Sequence, residues 1–160
     1  MEWISQQEIE RIMEEVIDKF IIPRFNSSGY KGKSMSASGN WLINLKSRVE
    51  GQRSIISAPK YTEQLAKGRK PGKLPPISKL IEWAKIRFNA DGEEARRIAW
   101  AVAKKIEKEG TKYYQDGGTK LVEVLSEQAT IQYIKEKLTA TIKVTIADNL
   151  LRIAKETFEK

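Results

Sequence analysis

Apolar positions recur at helical spacing in four stretches of the chain, and these are separated by runs rich in Gly, Ser and Pro. In residues 5–21, Ile9, Ile12, Met13, Val16, Ile17 and Phe20 recur every three or four residues and predict one apolar helical face. Ser5 stands where a cap is expected, and acids crowd the first turns, where the helix dipole favours them. Pro23 is expected to end this helix. Residues 26–40 are small and polar and predict a mobile loop. Trp41, Ile43 and Leu45 alternate with Leu42, Asn44 and Lys46, which reads as a half-buried strand. Arg53 to Ser57 reads as a second strand, with Glu50-Gly51 as the turn of a hairpin.

Pro59 is placed to open a short helix on which Tyr61 and Leu65 share a face, and Gly68 is placed to stop it. A loop stiffened by Pro71, Pro75 and Pro76 follows. Ser78 is the expected cap of the next helix, with Ile77 outside it. Its buried face would hold Leu80, Ile81, Ala84 and Phe88 as well as Ile77, with Trp83 at the edge. Asp91 and Glu94 have capping-box spacing. They introduce a helix reaching about Glu109, whose face is Ala95, Ile98, Ala99, Val102 and Ile106, closed by Gly110. A turn at Asp116-Gly117-Gly118 and a short helix with Leu121, Val122 and Leu125 come next. From Gln128 to Phe158 the apolar positions support one long helix. The β-branched run Thr139 to Ile146 keeps a strand over 140–147 open as the alternative. The fold class expected is α+β: a mostly helical single domain, residues 1–160, with a small antiparallel β element and a long C-terminal helix.

Charge is unevenly spread. Residues 1–22 carry a net −4, residues 24–120 a net +12, and the remaining residues balance, for +8 in all. A basic middle attracts nucleic acid, an acidic partner, or the acidic end of a neighbouring copy. Lys67, Arg69, Lys70 and Lys73 gather on the Pro/Gly loop spanning residues 67–76. They are the candidate contacts for DNA phosphates or for an acidic protein face; the plain alternative is a solubilising surface. Tyr30, Lys31 and Lys33 in the first loop, and Glu14 and Glu15 on the first helix, are candidates for assembly contacts.

Enzyme chemistry finds little support. The chain has no Cys and no His, which removes thiolate chemistry and the commonest acid–base group and metal ligand. Gly68 and Gly72 enclose too few residues for a Walker loop, Leu74 stands where the magnesium-binding hydroxyl belongs, and Pro71 lacks an amide donor. Glu93 and Glu94 are adjacent on a helix and point apart, unlike paired catalytic carboxylates. Gly29-Tyr30-Lys31-Gly32 matches the clamp of single-strand RNA-binding modules only superficially, since no helical pattern follows it. No catalytic residue, metal or cofactor is expected. No apolar run is long enough to span a membrane, and the acidic amphipathic start is unlike a signal peptide, so a cytoplasmic product is the expectation.

The run Tyr61…Leu65-Ala-Lys-Gly-Arg-Lys-Pro-Gly-Lys-Leu-Pro-Pro-Ile77…Leu80-Ile-Glu-Trp83 resembles the small head–tail joining or tail-completion (neck) proteins of tailed bacteriophages. The later run Ala99-Trp-Ala-Val-Ala-Lys-Lys-Ile-Glu-Lys-Glu-Gly-Thr-Lys112 resembles the same family's next helix and its closing Gly-Thr-Lys. The resemblance covers roughly Ser54 to Tyr114. It implies a virion structural protein, assembled in the host cytoplasm, that forms a six- or twelvefold ring around the DNA channel. The partners it implies are other copies of the chain, portal or adaptor and tail proteins, and packaged double-stranded DNA. The alternative left by the residues themselves is a non-specific nucleic-acid-binding protein using the basic middle.

Overall fold

A computed structural model describes residues 3–29, 34–36, 38–51 and 53–158. The chain is α+β and mostly helical, with one two-stranded antiparallel sheet and a long C-terminal helix. Its internal contacts group into two compact units. The first comprises Met1–Ile22, Lys46–Ser57 and Glu123–Lys160; the second comprises Pro23–Leu45 and Ala58–Val122.

In the first unit, helix α1 spans Gln6–Val16. Ser5 caps it: its hydroxyl accepts from the Glu8 amide at 3.2 Å, and the Glu8 carboxylate accepts from the Ser5 amide at 3.0 Å. These bonds hold the Glu8 carboxyl below its usual range. A π-helical turn, Ile17–Ile21, continues α1 into α2, Ile22–Ser27. Pro23 therefore does not end the helical path as expected. A π turn widens the helix by one residue just ahead of the proline, which accommodates both its ring and its missing donor. Ile12, Val16, Ile17 and Ile21 form the buried stripe. Helix α1 packs on the hairpin, β1 Lys46–Glu50 and β2 Arg53–Ser57, in the register Lys46↔Ser57 to Glu50↔Arg53. The Val49 amide donates to Glu10 Oε1 at 3.2 Å, so α1 also satisfies a backbone group on the outer edge of β1. Gly51 sits in the turn with φ 59°.

A short 3₁₀ turn, Glu123–Ser126, leads into the C-terminal helix, Gln128–Phe158. Thr130 is fully buried, and its hydroxyl donates to the Val124 carbonyl at 2.7 Å. The strand alternative over 140–147 does not occur. Hydroxyls of Thr141 and Thr145 bond back to the carbonyls four residues earlier, which settles these residues inside a helix.

The second unit begins with α2's Phe25, buried and stacked on Trp41 at 4.5 Å. Residues 41–46, expected as a strand, instead open with a helical turn, α3 Asn40–Ile43, and the strand starts only at Lys46. Burial of Trp41, whose indole N–H donates to Thr62 Oγ1 at 2.8 Å, outweighs the local alternation. Helix α4 spans Thr62–Lys67, α5 Ile77–Phe88, α6 Gly92–Glu109 and α7 Lys112–Gln115. Pro76, not Ser78, precedes α5, and Ser78 lies within its first turn. Asp91 occupies the cap position of α6 without making a side-chain cap bond, so the expected capping box is absent. Ala84, Ala90 and Ala95 are buried together where α5 and α6 pack, with Ile81, Trp83 and Ile98 against them, and Ala99 and Ala103 are buried farther along α6; the small side chains let the backbones approach closely. Phe88, expected in this core, is exposed and meets Trp83 edge-on at 5.3 Å.

Candidate functional site

The basic loop is held at both ends by the close of α6. Gly68 ends α4 at φ 73°, ψ −176°, and Gly110 ends α6 at φ 78°, ψ −179°. This backbone region is open essentially to glycine alone. The two glycines also face crowded space. A Cβ on Gly68 would lie 2.6 Å from Thr111 Oγ1, and one on Gly110 would lie 2.8 Å from the Arg69 carbonyl oxygen. Between them the backbones join. The Thr111 amide donates to the Arg69 carbonyl at 2.8 Å, the Arg69 amide donates to Thr111 Oγ1 at 2.8 Å, and the Gly72 amide donates to the Glu107 carbonyl at 2.8 Å. Further along, the Thr119 amide and hydroxyl donate to the carbonyls of Ala66 and Leu65 at 2.7 and 3.0 Å.

This lock sorts the four basic side chains. Lys67 pairs with Glu63 at 3.1 Å on the exposed face of α4. Arg69 is part-buried, and its guanidinium donates to the Leu74 carbonyl at 3.3 Å, bracing the loop across its base. Lys70 and Lys73 are exposed and form no ion pair among the described residues. Glu63, Gln64, Lys67, Gly68, Arg69, Lys70 and Tyr114 line an open cleft of about 470 Å³. Two free ammonium groups on a braced loop present positive charge at little conformational cost. That suits phosphates or carboxylates.

The remaining candidates scatter. Glu15 is committed to its own chain: its carboxylate accepts from the Tyr133 hydroxyl at 2.7 Å and from Lys137 Nζ at 2.6 Å. Those bonds, Lys137 foremost, draw the Glu15 carboxyl down. The same contacts, Glu15 foremost, raise both Lys137 and Tyr133. Glu14 is exposed on α1. Tyr30, Lys31 and Lys33 lie outside the described residues, as do most of the residues of the Gly-x-x-Gly match.

Reading the sequence did not find Glu107, Thr111, Tyr114 and Thr119 as the partners of the loop. Their only signal is Gly-Thr after a helix, which marks a stop and a cap but not what packs there. A second cavity of about 390 Å³, lined among others by Trp83, Val102, Ile106 and Tyr113, was equally unmarked. Burial there pushes the Tyr113 phenol up, with Arg87 opposing, which keeps it a protonated donor. Among the described residues no cluster of three or more His, Cys, Asp or Glu is placed to hold a metal ion, and no helix is long and apolar enough to cross a membrane. Comparison of the chain with protein-family models, curated proteins and solved structures gave no match.

Proposed function

We propose that this chain is a structural protein of a tailed-phage virion, placed at the neck or tail top, where copies form a ring that joins the portal-bearing head to the tail around the DNA channel. The observation that carries the reading is the interlock of Gly68–Gly72 with Glu107–Thr111. The two separated stretches that resemble neck proteins are the two sides of one hydrogen-bonded junction. A junction built from backbone bonds, glycines and a braced arginine serves to hold a shape, and it leaves Lys70 and Lys73 facing outward. In a ring these lysines meet either the phosphates of DNA in the channel or an acidic face such as that around Glu14 on a neighbouring copy.

The test is a reconstruction of assembled particles. The expected result is density for this chain at a cyclic position between portal and tail; its absence from the particle, or a place on the capsid surface, overturns the reading. Lys70→Ala with Lys73→Ala is expected to leave the thermal midpoint unchanged while lowering particle completion or DNA retention. If the purified protein instead binds duplex DNA with steep salt dependence and is missing from particles, the nucleic-acid-binding reading replaces this one.

A further inference from the structure

The long helix Gln128–Phe158, here α8, changes sides halfway along. In its first half, Thr130, Ile134 and Leu138 lie on one ridge and are buried or part-buried, while Gln132, Lys135 and Glu136 on the opposite side are exposed. In its second half, the side that continues the covered ridges becomes polar, with Thr141, Thr145 and Asn149 part-buried. The apolar residues now lie on the opposite side. Val144 is 60% exposed, Leu150 62%, Leu151 61% and Phe158 88%, with Ile146 and Ile153 exposed beside them. A soluble helix normally keeps its apolar stripe toward one core along its whole length.

These residues, with the exposed Ala147 and the part-buried Ala154, form two seams. Val144, Ala147, Leu151, Ala154 and Phe158 follow each other at three- and four-residue steps, the spacing of a helix–helix seam. Ile146, Leu150 and Ile153 follow the same steps on a second line. With 3.6 residues per turn the two lines are centred about 110° apart, too far for one facing helix to cover both. One seam alternates large residues with alanines, leaving holes; the other carries only large side chains, which are the matching knobs. One pair of flanks is complementary, while on the other Lys143 borders both seams. Asp148 and Lys155 border the alanine seam, and Asn149 and Glu156 border the other. When the two seams meet between parallel helices at the same level, Lys155 comes to the side of the next copy that carries Glu156, which within its own chain pairs with Arg152 at 2.8 Å, and Asp148 comes to the side that carries Asn149.

We infer that the second half of α8 is an interchain element: its alanine seam packs against the knob seam of the next copy in a parallel, head-to-tail arrangement that closes into a ring of more than two chains. Two different faces used once each make the contact heterologous, so it propagates until the rotation closes. The inference rests on the ring reading above but names the surface that makes the ring, and the two fail separately.

The full chain is examined by sedimentation velocity and native mass spectrometry across a range of concentrations. The expected result is a closed oligomer of three or more copies; a monomer or only a dimer at the highest concentration overturns the inference. Leu151→Glu alters the alanine seam and Ile153→Glu the knob seam. Each variant alone is expected to be a folded monomer by circular dichroism and mass. Mixed in equal amounts, they are expected to form a one-to-one dimer that grows no further, since each supplies the face the other lacks. Failure to complement overturns the head-to-tail arrangement. Lys155→Glu and Glu156→Lys are each expected to weaken assembly at low salt, and the double exchange to restore it. Monomeric protein that instead binds lipid vesicles or a purified tail protein through these residues overturns the inference in favour of that occupant. Assembly through α8 with no chain in the particle defeats the neck reading alone. Normal incorporation of the seam variants into particles defeats this inference alone.

Discussion

Helices α6 and α8 carry similar apolar spacing, yet they bury it differently. In α6 the stripe stays on one side and is fully buried from Ala95 through Ala103, with Ala84 of α5 clustered against its start. In α8 the stripe is covered only as far as α1 and the 3₁₀ turn reach, and beyond that it turns outward. Helical spacing thus marks a surface that must be covered, but only the direction of the stripe relative to the rest of the element shows whether the same chain covers it. In α6 the alanines form the fully buried line, with Ile98, Val102 and Ile106 part-buried beside it. In the second half of α8 large residues and alanines lie together on a mostly exposed side.

The contrast can be tested by substitution. Gly110→Ala is expected to have the largest effect, about 3 kcal/mol lost in denaturant titration, from a backbone conformation closed to alanine and a Cβ driven onto the Arg69 carbonyl. Ala99→Leu should cost about 1–3 kcal/mol by overpacking the fully buried face of α6, with an unchanged denaturant slope. If it is neutral, α6 is no more tightly covered than α8. A smaller effect is expected where α8 meets α1. The lowered Glu15 carboxyl stabilises this contact above its unfolded pKa, and that stability is lost as pH falls through the folded value. The raised Lys137 stabilises it below its own unfolded pKa, and that stability is lost as pH rises through the folded value. A thermal midpoint measured against pH should therefore be flat near neutrality and fall at both ends, and Glu15→Gln should flatten the acid limb. Smallest of all, Leu150→Ser with Leu151→Ser should change the stability of the dilute, unassembled chain by no more than about 0.5 kcal/mol, measured by denaturant titration. A loss comparable to Ala99→Leu would mean that α8 is covered by its own chain after all.

Helices were legible wherever periodicity ran long: α1, α5, α6 and α8 all fall where their apolar spacing places them. Boundaries were less so, because caps depend on which groups find partners. Ser5 finds the Glu8 amide, whereas Asp91 makes no side-chain cap bond. Trp41 misled because six alternating residues suit a strand and a helical turn equally until burial against Phe25 and the bond to Thr62 are known. Pro23 misled because a π turn is invisible in apolar spacing. At the basic loop the charges were plain from the residue letters, but their roles were not. That Arg69 braces while Lys70 and Lys73 stay free follows from long-range bonds to Glu107 and Thr111 and from the nearby Leu74 carbonyl.

The interlocked junction has a consequence for proteases. Lys67, Arg69 and Lys73 make this loop, by composition, an obvious target for trypsin, while the bond after Lys70 is protected by Pro71. Cleavage requires a segment to leave the fold and lie extended in the protease, and here that means breaking the bonds from the Arg69, Gly72 and Thr111 amides together. Nicking at these positions should therefore report opening of the α6–α7 junction rather than motion of a surface loop, and the amide protons of Arg69, Gly72 and Thr111 should exchange with solvent as one group.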